Sequence, residues 1–191
     1  MHICKQQTFE NLNKRIQQCR KCNLSNLSVN QKNVATGSGK LLGWGGTVEQ
    51  CKIMLVGQNP SHARYAGLEL AFGGPAGDNQ GVGKRFIDLL KSIDIFDKIY
   101  CTNLVKCSSV TNEINLDNAQ NCIGHLIEEY DIVKPKIVIA LGKQVFDTLT
   151  TLFNNYSICA KLFQTYHPSW IYRYKKVTEE KYYKIIKEIC K

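Results

Sequence analysis

The sequence predicts an α/β fold built on a short, mainly parallel sheet of four strands. Three observations carry that prediction. Two runs, Ile53-Met54-Leu55-Val56 and Ile137-Val138-Ile139-Ala140-Leu141, each opened by a lysine, are apolar at successive positions and stop at a glycine, as strands covered on both faces do. Strand patterns alternate with helical patterns along the chain, which implies parallel strands joined by right-handed crossovers. A length of 191 residues without internal repeats or low-complexity linkers fits one domain with a sizeable core.

Taken in order, an amphipathic helix is expected near 8–18, followed at once by Cys19-Arg20-Lys21-Cys22. Residues 23–46, rich in Asn, Ser and Gly, read as a long loop over the sheet edge. The first strand, near 52–56, leaves the sheet through Gly57-Gln58-Asn59-Pro60-Ser61. Gly57 and Pro60 force the backbone out of the ladder and leave Gln58, Asn59 and Ser61 at the strand's carboxyl end, where open α/β sheets bind ligands. A second loop covers 71–83, and a helix is expected near 80–93. The next strand, near 99–105, leads to a helix near 116–132 with Asn115 as its N-cap and Lys134-Pro135 as its stop. The strand near 136–141 exits at Gly142 into a helix near 143–153. A short strand near 162–166 runs into His167-Pro168-Ser169, and a helix near 178–190 closes the pattern.

Composition narrows the function classes. A hydrophobic content of 43% is that of an ordinary globular protein, and no apolar run approaches the roughly 20 residues that span a bilayer. The amino terminus shows no signal-peptide apolar region, so a soluble, cytoplasmic protein without membrane association is expected. With 25 Lys and Arg against 16 Asp and Glu, the formal net charge is +9. That charge points to a polyanionic partner, nucleic acid first and an anionic membrane surface second. Nine cysteines in an intracellular chain point to a metal or to inert buried thiols. The C-x2-C at Cys19 and Cys22 suits a bidentate clip, which Cys107 and Cys122 would complete as a four-thiolate site. Zinc or a redox pair explains the C-x2-C as readily. Cys4, Cys51, Cys101, Cys159 and Cys190 have no partner spacing and read as structural.

Several ordered motifs resemble those of the uracil-DNA glycosylase superfamily, and within it the iron-sulfur family known as family 4. Asn103-Leu104-Val105-Lys106-Cys107 resembles its T-N-x-V-K-C segment, and Cys122 falls where its fourth cysteine falls. Pro135 to Gly142 resembles P-K-x-I-x-x-L-G, and Thr165 to Ser169 resembles T-x-H-P-S. The likeness runs from about Cys19 to Arg173. It implies a three-layer α/β/α sandwich, a [4Fe-4S] cluster on Cys19, Cys22, Cys107 and Cys122, and DNA as partner. Residues 1–191 then form a single domain whose 1–46 segment the cluster ties to the core, with a monomer expected.

The chemistry assigns roles to the turns. Breaking an N-glycosidic bond creates an oxocarbenium-like sugar and an anionic pyrimidine, so it needs a donor where negative charge grows and a placed water. His167 is expected to hydrogen-bond the developing O2 anion and Asn59 to orient the water. Asn103 has one amide donor and one acceptor for the Watson-Crick edge of an extruded base, and Phe72 is expected to stack on it. Gln58 and Ser61 flank the base from the first turn. After His167, Ser169, Trp170, Ile171 and Arg173 are expected to form a DNA-facing loop, and the resemblance to the superfamily implies a wedge there that replaces the flipped nucleotide, Trp170 or Ile171. Lys84 and Arg85, near a helix start, are expected to add phosphate contacts.

Departures from the family bear on substrate. The first turn reads Gly57-Gln58-Asn59-Pro60-Ser61 where the iron-sulfur family has G-E-x-P-G, and the small Ser61 stands where the main uracil-specific branch has an aromatic that blocks C5 substituents. Uracil excision in repair is therefore one expectation, and excision of C5-modified (hydroxymethylated or glucosylated) pyrimidines of phage DNA, in antiviral defence, is another. A non-catalytic iron-sulfur or zinc nucleic-acid-binding protein is a third. No lysine is placed as a Schiff-base nucleophile, so hydrolysis without a lyase step is expected.

Overall fold

The computed structural model describes residues 5–24, 43–45, 50–60, 71–72, 81–109 and 113–190. Strands β2 (Ile53–Gly57), β3 (Ile99–Asn103), β4 (Ile137–Leu141) and β5 (Lys161–Thr165) run parallel in the order β3-β2-β4-β5. The two-residue strand β1, Trp44–Gly45, pairs antiparallel with the outer edge of β3 through Trp44↔Cys101 and Gly45↔Tyr100. It falls at the end of the segment expected to loop over the sheet edge, and it makes the sheet five-stranded. The helices are α1 (Lys5–Gln18), α2 (Val82–Ser92), α3 (Leu116–Val133), α4 (Lys143–Tyr156), α5 (Pro168–Tyr172) and α6 (Glu179–Ile189).

Alternation along the strands divides the core into two layers. Met54, Val56, Tyr100, Val138 and Ala140 pack on one face with Ala119, Leu126 and Val133 of α3 and Val145, Leu149 and Leu152 of α4. Ile53, Leu55, Ile99, Cys101, Ile139 and Leu141 pack on the other with Phe86, Ile87 and Leu90 of α2, Ile171 of α5, and Tyr182 and Ile186 of α6. The result is the three-layer α/β/α sandwich. All five residues of β2 are buried, which explains its unbroken apolar run; β3 is equally buried but ends in the polar Thr102 and Asn103. On α1, Leu12 and Ile16 pack against Ile132 of α3, and Arg15 pairs with Glu128, so packing also holds the amino-terminal segment to the core.

Local signals set the helix ends. Asn115 accepts from the Asn118 N–H at 2.8 Å while the Asn118 side chain accepts from the Asn115 N–H, a reciprocal cap. Lys134 closes α3 in the left-handed region (φ 51°) just before Pro135. Strand β3 stops at Asn103, two residues before the expected end, while the Leu104 and Val105 N–H groups donate to Gly57 O and Gln58 O. Among the four parallel strands, chain order and strand order differ at one place: β3 is followed by β4, which lies on the far side of β2. The chain leaves β2 toward one helical layer and β4 toward the other, so a crevice opens between their carboxyl ends.

Candidate active site

Register brings the carboxyl ends of the strands to one rim, with Gly57 beside Asn103 and Leu141 beside Thr165. A cleft of about 500 Å3 opens there, a volume typical of small-ligand sites. Gln58 and Asn59 line it from the exit of β2, Gly142 to Val145 from the exit of β4, and His167, Ser169, Trp170, Arg173 and Tyr174 from the exit of β5. Asn59 Nδ2 donates to Pro60 O at 3.2 Å, which fixes the amide within its own turn and presents Oδ1 as the acceptor.

His167 is the N-cap of α5, and its Nδ1 accepts the Ser169 N–H at 3.2 Å. That bond assigns the proton of the neutral ring to Nε2. Burial pushes its pKa down from 6.5 to about 4, and the Arg173 cation adds to the depression. At neutral pH the ring is therefore uncharged and offers one N–H donor. The Phe72 ring lies 6.2 Å from the His167 ring, tilted by 36°, with its backbone in the left-handed region at φ 55°. A non-glycine residue there carries strain, a feature concentrated at functional sites. Asn103 is buried, and a Cβ on Gly57 would stand 2.5 Å from Asn103 Oδ1 and 3.0 Å from Phe72 Cζ. Glycine at 57 is thus what lets the Asn103 amide and the Phe72 ring meet above the end of β2. Asn59, Gln58, Phe72, Asn103 and His167, predicted from four separate segments, converge. Ser61 lies outside the described residues.

Cys19, Cys22, Cys107 and Cys122 line one small cavity, together with Lys106 and His125. Among the described residues, no three His, Cys, Asp or Glu side chains gather as a single metal ion requires. A zinc site needs its sulfurs about 2.3 Å from one point. A four-iron cluster takes four thiolates, the number of cysteines that line this cavity. Two further observations fit a sulfur-rich occupant. The Lys106 N–H donates to Cys122 Sγ at 3.3 Å, the kind of outer bond that tunes a ligating sulfur. His125 is buried, with neither ring nitrogen bonded to protein, and burial with the nearby Lys106 cation lowers its pKa to about 4.

Residues 45–190 match the family described as "Uracil DNA glycosylase superfamily". The chain belongs to that superfamily. Among curated proteins it is similar to the type-4 uracil-DNA glycosylase of Thermotoga maritima, with 25% identity over 182 residues, covering 88% of this chain and 85% of the relative. The type-4 uracil-DNA glycosylase of Archaeoglobus fulgidus is 23% identical over 150 residues, 78% of this chain and 66% of the relative. A type-5 uracil-DNA glycosylase of Pyrobaculum aerophilum is 28% identical over 82 residues, 37% of this chain and 36% of the relative.

In this superfamily member the remaining predicted residues divide. Trp170 is 49% exposed on the cleft wall, whereas Ile171 is 3% exposed and packed with Phe86 and Tyr182 in the core. The structure therefore removes Ile171 from the two wedge candidates, because α5 turns it inward. Arg173 and Ser169 line the cleft. Lys84 bonds Asp88 at 2.7 Å, and Arg85 pairs with Glu179 with its guanidinium 4.6 Å from the Tyr172 ring centroid. Arg85 lines a separate groove with Asp88, Glu179 and Glu180, so its charge is met within the protein. Sequence reasoning missed Lys143 and Gln144 at the start of α4, which line the cleft beside Asn59. The signal was the Gly142 exit, since the ends of neighbouring strands at a switch point share one crevice.

Proposed function

We propose that this protein is a monofunctional DNA N-glycosylase that hydrolyses the N-glycosidic bond of uracil, or a related pyrimidine, flipped out of DNA, leaving an abasic site. The observation that carries this reading is the neutral His167, capped through Nδ1, facing the Gln58-Asn59 turn across the switch-point cleft with Phe72 and Asn103 alongside. An extruded base stacks on Phe72 and pairs with the Asn103 amide. As the C1′–N1 bond breaks, its electron pair passes to the base and negative charge grows at O2, where His167 Nε2–H donates. Asn59 Oδ1 accepts a hydrogen bond from a water that attacks C1′ from the opposite face, and the proton this water loses ends on the departing base anion. Trp170 fills the gap left in the duplex, while Arg173 and Ser169 hold the phosphates. Lys84 and Arg85 add contacts only by giving up surface pairs, each worth at most about 1 kcal/mol.

Cys19, Cys22, Cys107 and Cys122 would hold a [4Fe-4S] cluster, as the type-4 resemblance implies, with zinc the alternative. A bound cluster would supply a structural cross-link between the segment after α1, the segment after β3, and α3. One sequence feature favours a second substrate class: Ser61 is small where the main uracil-specific branch has an aromatic that blocks C5 substituents. Excision assays on oligonucleotides carrying uracil, 5-hydroxymethyluracil and glucosylated hydroxymethylcytosine decide between repair and defence substrates. Release of none of the three would sink the glycosylase reading and leave the non-catalytic nucleic-acid-binding one.

A further inference from the structure

Lys106 and Glu129 form an ion pair sealed inside the protein. Lys106 Nζ lies 2.6 Å from Glu129 Oε2, with the two side chains 1% and 0% exposed. The same ammonium donates at 2.7 Å to Thr102 Oγ1 and at 2.7 Å to the Asn103 carbonyl, so its three donors point in three fixed directions. Thr102 Oγ1 in turn donates to the Glu129 carboxylate. Burying two charges is costly, and a hydrophobic pair of similar volume commonly replaces such a bridge without loss of stability. Stability alone therefore does not account for it. What distinguishes this pair is the carbonyl it holds, which belongs to the last residue of β3, where the ladder ends and the Asn103 amide leans over Gly57.

We propose that Lys106, neutralised by Glu129, is a positioning residue that sets the aim of Asn103 and hence the base preference of the site. This rests on the reading of Asn103 as the residue that meets the base edge. The peptide that follows Asn103 is clamped at both ends, its C=O by Lys106 and its N–H by Gly57 O, while pairing with β2 holds the strand before it. The Asn103 Cα–Cβ bond then leaves the backbone in a fixed direction, and the close approach to Gly57 narrows where the amide can offer its donor and acceptor. Uracil-type edges present an acceptor at C4 and a donor at N3, and cytosine-type edges the reverse, so a fixed amide discriminates between them and a loose one does not. Lys106 also meets the cysteine cavity through its backbone N–H on Cys122, so the same residue braces the base side and the thiolate side of this segment.

The test is a cycle built on the paired replacement Lys106→Met/Glu129→Leu, which removes both charges together. It is expected to melt near the wild-type temperature, while single-turnover excision of the preferred base falls about 10²-fold, the scale of a ~1 Å misplacement. The preference over the base with the opposite edge should shrink with it. Combined with Asn103→Ala, the replacement should add no further loss. Thr102→Val, which deletes one partner of the ammonium and keeps its shape, should move preference the same way by less, and it serves if the paired variant does not fold. Losses equal for both bases, or additive with Asn103→Ala, would overturn the proposal and leave the pair purely structural. A wild type that releases neither base overturns instead the reading of Asn103 on which it stands.

Discussion

The fold keeps His167 uncharged, as the donor role proposed for it requires. Its pKa of about 4 lies below the ordinary 6.5, so the unfolded chain takes up the proton first as pH falls. The stability this contributes is present above about 6.5 and is lost as pH drops through about 4. Single-turnover excision should accordingly show no inflection near 6.5 and decline only toward 4; an inflection near 6.5 would argue against the neutral-donor role. His167→Ala should lower kcat by about 10²–10³-fold, the usual effect of deleting one donor to a developing anion. Gly57 supplies a second test at this scale. In Gly57→Ala the new methyl would meet Asn103 Oδ1 at 2.5 Å, displacing the amide and the Phe72 ring while leaving β2 intact. Excision should fall about 10²-fold with little change in melting temperature.

Helix α5 gives adjacent residues opposite roles. Ile171→Ala should cost roughly 2–5 kcal/mol in denaturant unfolding, because it opens a cavity against Phe86 and Tyr182. Trp170→Ala should change stability by no more than about 0.5 kcal/mol, yet lower excision from duplex more than from single-stranded DNA, since only the duplex must be held open. Equal losses on both substrates would remove Trp170 from the wedge role. The cap of α3 was legible from Asn115 alone, because capping is settled within four residues. The inward turn of Ile171 was not. A Trp-Ile pair after His-Pro-Ser reads alike whether it extends over DNA or folds into a short helix against the core.

Across the whole molecule, the net charge of +9 and the cysteine cavity make separate predictions. DNA affinity should fall linearly in log K against log salt, with a slope reporting the phosphates neutralised. Cys107→Ser should remove the visible iron-sulfur absorbance of anaerobically prepared protein and lower its melting temperature, whereas His167→Ala should keep both. Wild-type protein with bound zinc and no such absorbance would overturn the cluster.

By itself the sequence determined the alternation of strands and helices, the glycine exits of β2 and β4, the cap of α3 and the motif turns that carry Asn59 and His167. Each of these is written in residues a few positions apart, through periodicity, backbone restriction or a side chain bonding its own backbone. Only the tertiary structure decided that β4 lies against β2 rather than β3, and so that Lys143 and Gln144 face Asn59 across one cleft. It alone set the Phe72 ring beside His167, tied Arg85 to Glu179, and sealed Lys106 onto Glu129 beneath Asn103. Those contacts join residues 23 to 95 positions apart, and no local period records which distant segments become neighbours once the layers close.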